Sequence, residues 1–123
     1  MPTAIRISAG DVIVEAELSD SDCAQAIADA LPIEAAAGTW GEEIYFSIDV
    51  DCPGEDLQAV VDIGDLGYWP PGSAFCMFFG MTPMSTAEEI RPASPVAIIG
   101  RMTGDLEPLK AVRSGAKVTI EAA

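Results

Sequence analysis

Apolar and polar residues alternate along much of this chain with the period of a strand. Val12, Val14, Ala16 and Leu18 fall on one parity and Ile13, Glu15 and Glu17 on the other, so one face of the segment suits burial and the other suits water. Residues 4–8 precede it across Ala9-Gly10-Asp11, which predicts a hairpin. Ser19-Asp20-Ser21-Asp22 then supplies a capping hydroxyl and early acidic groups. Cys23, Ala24, Ile27, Ala28 and Leu31 follow at helical spacing until Pro32, predicting one amphipathic helix of about ten residues. After an alanine and glycine loop, Trp40-Gly41-Glu42-Glu43 leads into Ile44, Phe46 and Ile48, alternating with Tyr45 and Ser47. Further strands are expected over 57–63, 65–69, 74–79, 96–102 and 116–121, punctuated by Gly64, Pro70-Pro71-Gly72 and Gly80. Ser85-Thr86-Ala87-Glu88 has the spacing of a capping box and predicts a short helical turn before Pro92. The expectation is an all-β fold, mainly strand with one α-helix and that short turn, whose eight strands close into an antiparallel barrel.

The chain has 123 residues, enough for one compact domain over 1–123 and cramped for two. No stretch approaches the roughly 18 apolar residues of a membrane helix, and the start, Met1-Pro2-Thr3-Ala4-Ile5-Arg6, lacks the pattern of a secretory signal. A cytoplasmic location is the default expectation. Twenty acidic residues against six basic ones give a net charge of −14, a field that repels nucleic acid and anionic membranes as partners. Residues 1–90 hold 17 acids and one base, whereas 91–123 hold three acids and five bases, Arg91, Arg101, Lys110, Arg113 and Lys117. Those five are expected to offset the acidic remainder rather than build an anion site.

Three widely spaced cysteines, Cys23, Cys52 and Cys76, form no C-x-x-C pair. No disulfide framework is expected: Cys23 and Cys76 read as small buried hydrophobes and Cys52 as an exposed thiol. The chain contains no histidine, which excludes Ser-His-Asp and Cys-His catalysis and leaves a zinc site only an unusual mixture of thiolates and carboxylates. No metal or cofactor is expected. Glu42, Glu43 and Asp65 are the carboxylates available for acid-base work or for a hard cation, but adjacent strand residues point to opposite faces, so Glu42 and Glu43 are no ready-made pair. The aromatic residues are more informative. All eight lie between Trp40 and Phe79. Phe46, Phe75 and Phe78 read as core, whereas Trp40, Tyr45, Trp69 and Phe79, at strand ends or on the opposite parity, suit a concave ligand surface.

Leu31-Pro32-Ile33, the run from Thr39 to Phe46, the run from Gly64 to Gly72, Phe78-Phe79-Gly80, Ile99-Gly100-Arg101 and Gly115-Ala116-Lys117-Val118 together resemble the small prokaryotic cyclophilin-like proteins of unassigned function. The resemblance spans nearly the whole chain and implies an eight-stranded cyclophilin-like barrel with a helix over one end. It does not imply proline isomerisation. Cyclophilin isomerases carry an arginine after a phenylalanine-histidine pair, and the matching strand here reads Trp40-Gly41-Glu42-Glu43-Ile44-Tyr45-Phe46. Met77-Phe78-Phe79 resembles the end of the isomerase strand that faces substrate, which implies Met77 and Phe79 outward and Phe78 inward. The ligand-binding set expected from residues and resemblance together is Trp40, Glu43, Tyr45, Trp69, Met77 and Phe79, with no catalytic residue assigned. The expected function is a non-catalytic module binding a small molecule or peptide on the face that isomerases use. The alternative is a weak or divergent prolyl isomerase or a carboxylate-based enzyme.

Overall fold

The computed structural model describes residues 3–52, 57–83, 85, 89–92 and 95–123. In chain order these form β1 (Thr3–Ala9), β2 (Val12–Leu18), α1 (Asp22–Asp29), β3 (Ile33–Ala36), β4 (Gly38–Thr39), β5 (Glu43–Ser47), β6 (Asp65–Trp69), β7 (Ala74–Phe78), β8 (Ala97–Met102) and β9 (Lys117–Ala122). Short 3-10 turns occupy Pro70–Gly72 and Glu107–Ala111. All strand pairs are antiparallel, in the order β3-β9-β1-β2-β8-β6-β7-β5-β4. The two ends of that order, β3 and β4, are consecutive in the chain. Residues 33–36 pair with β9 and residues 38–39 with β5, while Ala37 at the bend donates to Ala116 O and accepts from Gly115 N. One bent segment thus joins both ends of the sheet, leaving a nearly closed antiparallel barrel. The class is the expected one with nine strands rather than eight: the stretch read as an alanine and glycine loop adds the two short strands of this divided stave, and the strand expected over 57–63 does not form.

Alternation places the barrel's interior where the sequence pattern put it along β1 and β2, with Ile5, Ile7, Val14, Ala16 and Leu18 all buried. From the other side Ile44, Phe46, Leu66, Tyr68, Phe75 and Met77 fill the same core. Phe46 and Phe75 are cross-strand partners, and their rings stack with centroids 5.2 Å apart, the offset arrangement aromatic pairs favour. The helix is capped as its sequence indicates: Ser21 Oγ accepts from Ala24 N at 3.2 Å. Its inner face buries Cys23, Ala24 and Ile27, while Leu31, beyond the end of α1, is only half-buried. No helix among the described residues is long and apolar enough to cross a membrane.

Two expectations need correction. Residues 57–63 do not form a strand; they touch the rest of the sheet through two isolated bridges, Gln58 to Val96 and Val61 to Ile90. The periodicity there reflects a covering segment with a few inward apolar groups, not a stave. The expectation of three unpaired cysteines also fails, since Cys23 and Cys52 form a disulfide, with Cα atoms 5.2 Å apart. Cys23 is turned inward by the first turn of α1. The Tyr68 hydroxyl donates to Val50 O at 2.7 Å, pinning the chain two residues before Cys52, which packs half-buried against the core instead of standing exposed. Sequence spacing could not reveal this meeting of helix and loop. The helical turn expected at 85–88 falls mostly on residues 86–88, outside the described residues.

The disulfide closes a loop of 29 residues, for which the chain-entropy relation gives about 3–4 kcal/mol of stabilisation. Reduction is therefore expected to lower the melting temperature by on the order of 10 °C. Unreduced, denatured protein should offer one thiol, Cys76, to an alkylating reagent, and reduced protein three; three in both states would contradict the bond.

Candidate functional site

The register of β5, β7 and β6 determines which side chains share a face. Ile44 and Leu66 oppose Met77, and Phe46 and Tyr68 oppose Phe75; all of these point into the barrel. The intervening positions therefore point out of it. Glu43 opposes Phe78, Tyr45 opposes Cys76, and Trp69 opposes Ala74. This outer face is not left to solvent. Val61, Ile90 and Val96, from residues 57–63, 89–92 and 95–96, pack on Ala74, Cys76 and Phe78 to make a second, smaller apolar cluster. Where that cover ends, a cavity of about 220 Å³ opens between Trp40, Glu43, Tyr45, Trp69, Ala74, Cys76, Pro92 and Val96.

Four of the six expected ligand-binding residues, Trp40, Glu43, Tyr45 and Trp69, meet at this cavity. Met77 and Phe79 do not line it: they are buried in the barrel core. Phe78, expected inward, belongs to the outer cluster. The orientation implied by the isomerase resemblance is thus off by one residue. All five residues of β7 are buried, so no hydropathy alternation marks its faces, and only its pairing with β5 fixes them. Once Phe46 is recognised as facing Phe75, Ala74 and Cys76 must lie on the side of Tyr45. That is the signal by which these two lining residues could have been found in the sequence. Pro92 and Val96 arrive through long-range folding of the covering segment, for which no local signal exists.

The local sequence positions each polar or aromatic wall. Trp40 N donates to Glu43 O at 3.0 Å, a tight turn that needs Gly41 with its φ of 62°. The same turn is anchored to the end of β7, with Phe79 N donating to Glu42 O at 3.1 Å and Glu42 N to Met81 O at 2.7 Å. Trp40 and Glu43 are thereby held at one rim. The Tyr45 ring lies on Gly38, its cross-strand neighbour, so closely that a Cβ there would stand 2.6 Å from the ring. Trp69 lies against Gly72, where a Cβ would come within 2.9 Å. Both rings thus rest on backbone bared by glycine, across a strand pair in one case and a proline-rich turn in the other. Ser85 holds the residue that precedes Pro92: its hydroxyl accepts from Thr82 N and Arg91 N, each at 3.0 Å, and the Thr82 hydroxyl donates to Arg91 O.

Glu43 is the chemical centre of the cavity. Its residue is only 5 % exposed, and burial pushes its carboxyl up to about 7, with the neighbouring Cys76 thiol acting in the other direction. Burial and the facing carboxylate raise the Cys76 thiol as well. The other candidate carboxylates are engaged elsewhere. Asp65 pairs with Arg101 at 3.1 Å and accepts from Asp62 N at 2.8 Å. Glu42 reaches Lys110 at 3.5 Å and Met81 N at 3.4 Å. Lys117 pairs with Glu34 and Arg91 with Glu89. Four of the five C-terminal bases therefore sit beside acids, as a charge-offsetting surface requires. Among the described residues no group of three or more metal-ligating side chains gathers.

A nearly closed antiparallel barrel with one helix packed on its core has the architecture of a cyclophilin-type domain. Residues 3–121 match the model of the cyclophilin-like family, and the chain belongs to that family. The solution structure of the hypothetical protein AF2241 from Archaeoglobus fulgidus is similar over 99 % of this chain and 95 % of that one, at 44 % identity and a TM-score of 0.85. The structure of McbB in complex with tryptophan shares the fold at 12 % identity and a TM-score of 0.70, over 96 % of this chain and 44 % of that one. No curated protein sequence matches the chain at a significant level.

The elevated Glu43 carboxyl has a signed consequence for stability. With a folded value near 7 against an ordinary 4.5, the folded state holds a proton that the unfolded state has already lost, so stability falls as pH rises from about 4.5 to 7 and then levels off. That is about 3 kcal/mol across the window. Urea denaturation of wild type and Glu43→Gln from pH 4 to 8 should show the variant gaining on wild type by this amount, and parallel profiles would contradict it.

Proposed function

We propose that this protein is a single-domain binding module of the cytoplasm that takes a small molecule or a peptide side chain into the cavity above β5, β7 and β6, without catalysing a reaction on it. The observation that carries the reading is the convergence of Trp40, Tyr45 and Trp69 on one cavity floored by the buried carboxyl of Glu43. Aromatic walls with one convergent polar group are what small-ligand sites are made of. At about 220 Å³ the cavity is smaller than the roughly 300–1,000 Å³ of sites for drug-sized molecules, so its occupant is a single ring or a compact branched group. Rings seated on Gly38 and Gly72 lose little freedom on binding, which favours affinity. Proline isomerisation calls for a charged donor aimed at the amide nitrogen, and the residues lining this cavity include no arginine. A Cys23–Cys52 bond suits the cytoplasm of organisms whose intracellular proteins keep disulfides, hyperthermophilic archaea among them.

Both tryptophans of the chain border the cavity, so intrinsic fluorescence reads its occupancy. In a titration with indole and other single-ring compounds, Trp69→Ala and Tyr45→Ala are expected to weaken any binding at least tenfold, in line with truncation of aromatic anchors worth about 2 kcal/mol or more. Met77→Ala and Phe79→Ala should instead cost about 2–5 kcal/mol of stability. The protein should accelerate X-Pro isomerisation in a peptide little or not at all. Binding unaffected by Trp69→Ala and Tyr45→Ala would sink the cavity reading, and isomerase turnover abolished by Glu43→Gln would replace it with an enzyme.

A further inference from the structure

The chemistry of the occupant can be narrowed. Three aromatic rings and one carboxyl line the cavity, together with the thiol of Cys76 and the apolar surfaces of Ala74, Pro92 and Val96. Glu43 has no ion-pair partner among the described residues, whereas Glu34, Glu42 and Asp65 each have one. A buried carboxylate without a countercharge is costly, and the neutral thiol of Cys76 supplies none. Aromatic rings attract cations through the negative potential of their faces, most strongly where water is excluded, and groups of such rings hold quaternary ammonium groups. The chain's charge of −14 also raises the local concentration of cations.

We propose that the cavity is an aromatic cage for a methylated ammonium group, walled by Trp40, Tyr45 and Trp69 and given its countercharge by Glu43. The inference rests on the binding-module reading and adds the ligand's chemical class. A trimethylammonium group is compact and apolar at its surface yet positive, so it gains from ring contact and from the carboxylate together. It carries no N–H, so neither the carboxylate nor any other group in the cavity has to accept a hydrogen bond from it. Its neutral carbon isostere keeps the shape and the apolar surface and lacks the charge, which separates the two contributions.

Choline, a peptide bearing trimethyl-lysine, and the neutral isostere 3,3-dimethyl-1-butanol would each be titrated at pH 8.5, where Glu43 is ionised, with tryptophan fluorescence as one readout. The second readout is the proton resonance of the N-methyl groups, which ring currents shift upfield only inside a cage. Saturable binding of choline or of the peptide, at least tenfold tighter than the butanol, supports the cage, and the tighter of the two identifies a free or a side-chain ligand. Glu43→Gln should bring the cation to the affinity of the butanol while leaving the butanol unchanged. Tyr45→Ala, at a rim position 41 % exposed and so tolerant of truncation, should weaken both. Equal affinity for cation and butanol, or cation binding indifferent to Glu43→Gln, would overturn the ammonium class and leave the cavity reading standing. If cations, butanol and single-ring compounds all fail to bind, both fall.

Discussion

The structure depends on the requirement that β7 be buried on both of its faces. Its five residues, Ala74, Phe75, Cys76, Met77 and Phe78, carry no polar group able to face water. Phe75 and Met77 are accommodated by the barrel core, a solution common to any curled sheet. Ala74, Cys76 and Phe78 need a second cover, which the chain supplies with Val61, Ile90 and Val96 from outside the barrel. That cover does not extend fully over β5, and the cavity lies where it stops short. Glu43 and Tyr45 occupy two of the three outward positions of β5, one buried and one exposed. The raised carboxyl of Glu43 is then a direct result of a cover that excludes water and whose one cation, Arg91, is paired with Glu89 rather than with Glu43.

The barrel was legible because most of its strands announce themselves by alternation, and its helix by a capping serine and a proline stop. The hairpin of β1 and β2 and the strand from Ile44 onward read correctly for that reason. The divided stave of residues 33–39 did not, since alanine and glycine carry no hydropathy contrast and its two halves pair with strands far apart in the chain. Residues 57–63 failed in the opposite sense, with apolar spacing that serves a cover rather than a sheet.

At the site, the turn Trp40-Gly41-Glu42-Glu43 and the turn after Trp69 were identifiable because glycine and proline fix the geometry of aromatic residues beside them. Met77 and Phe79 were misdirected by one residue because β7 has no polar face against which parity can be read. Pairing with β5 settles the parity through the stacked rings of Phe46 and Phe75. The cysteine bond lay beyond any local pattern, since it joins the first turn of a helix to a loop held in place by the Tyr68 hydroxyl.

The bent segment from Ile33 to Thr39 has a bearing on how this molecule meets others. By pairing with β9 through one half and β5 through the other, it occupies the two places where an open sheet of this order would present free backbone amides and carbonyls. Proteins with such rims recruit extended peptides, or copies of themselves, by adding a strand. Here that route is filled from within the chain, at the cost of only a few residues of weak strand-forming sequence. An approaching chain therefore meets surface shape and charge, which depend on side-chain identity, rather than a long run of free main-chain groups, which does not.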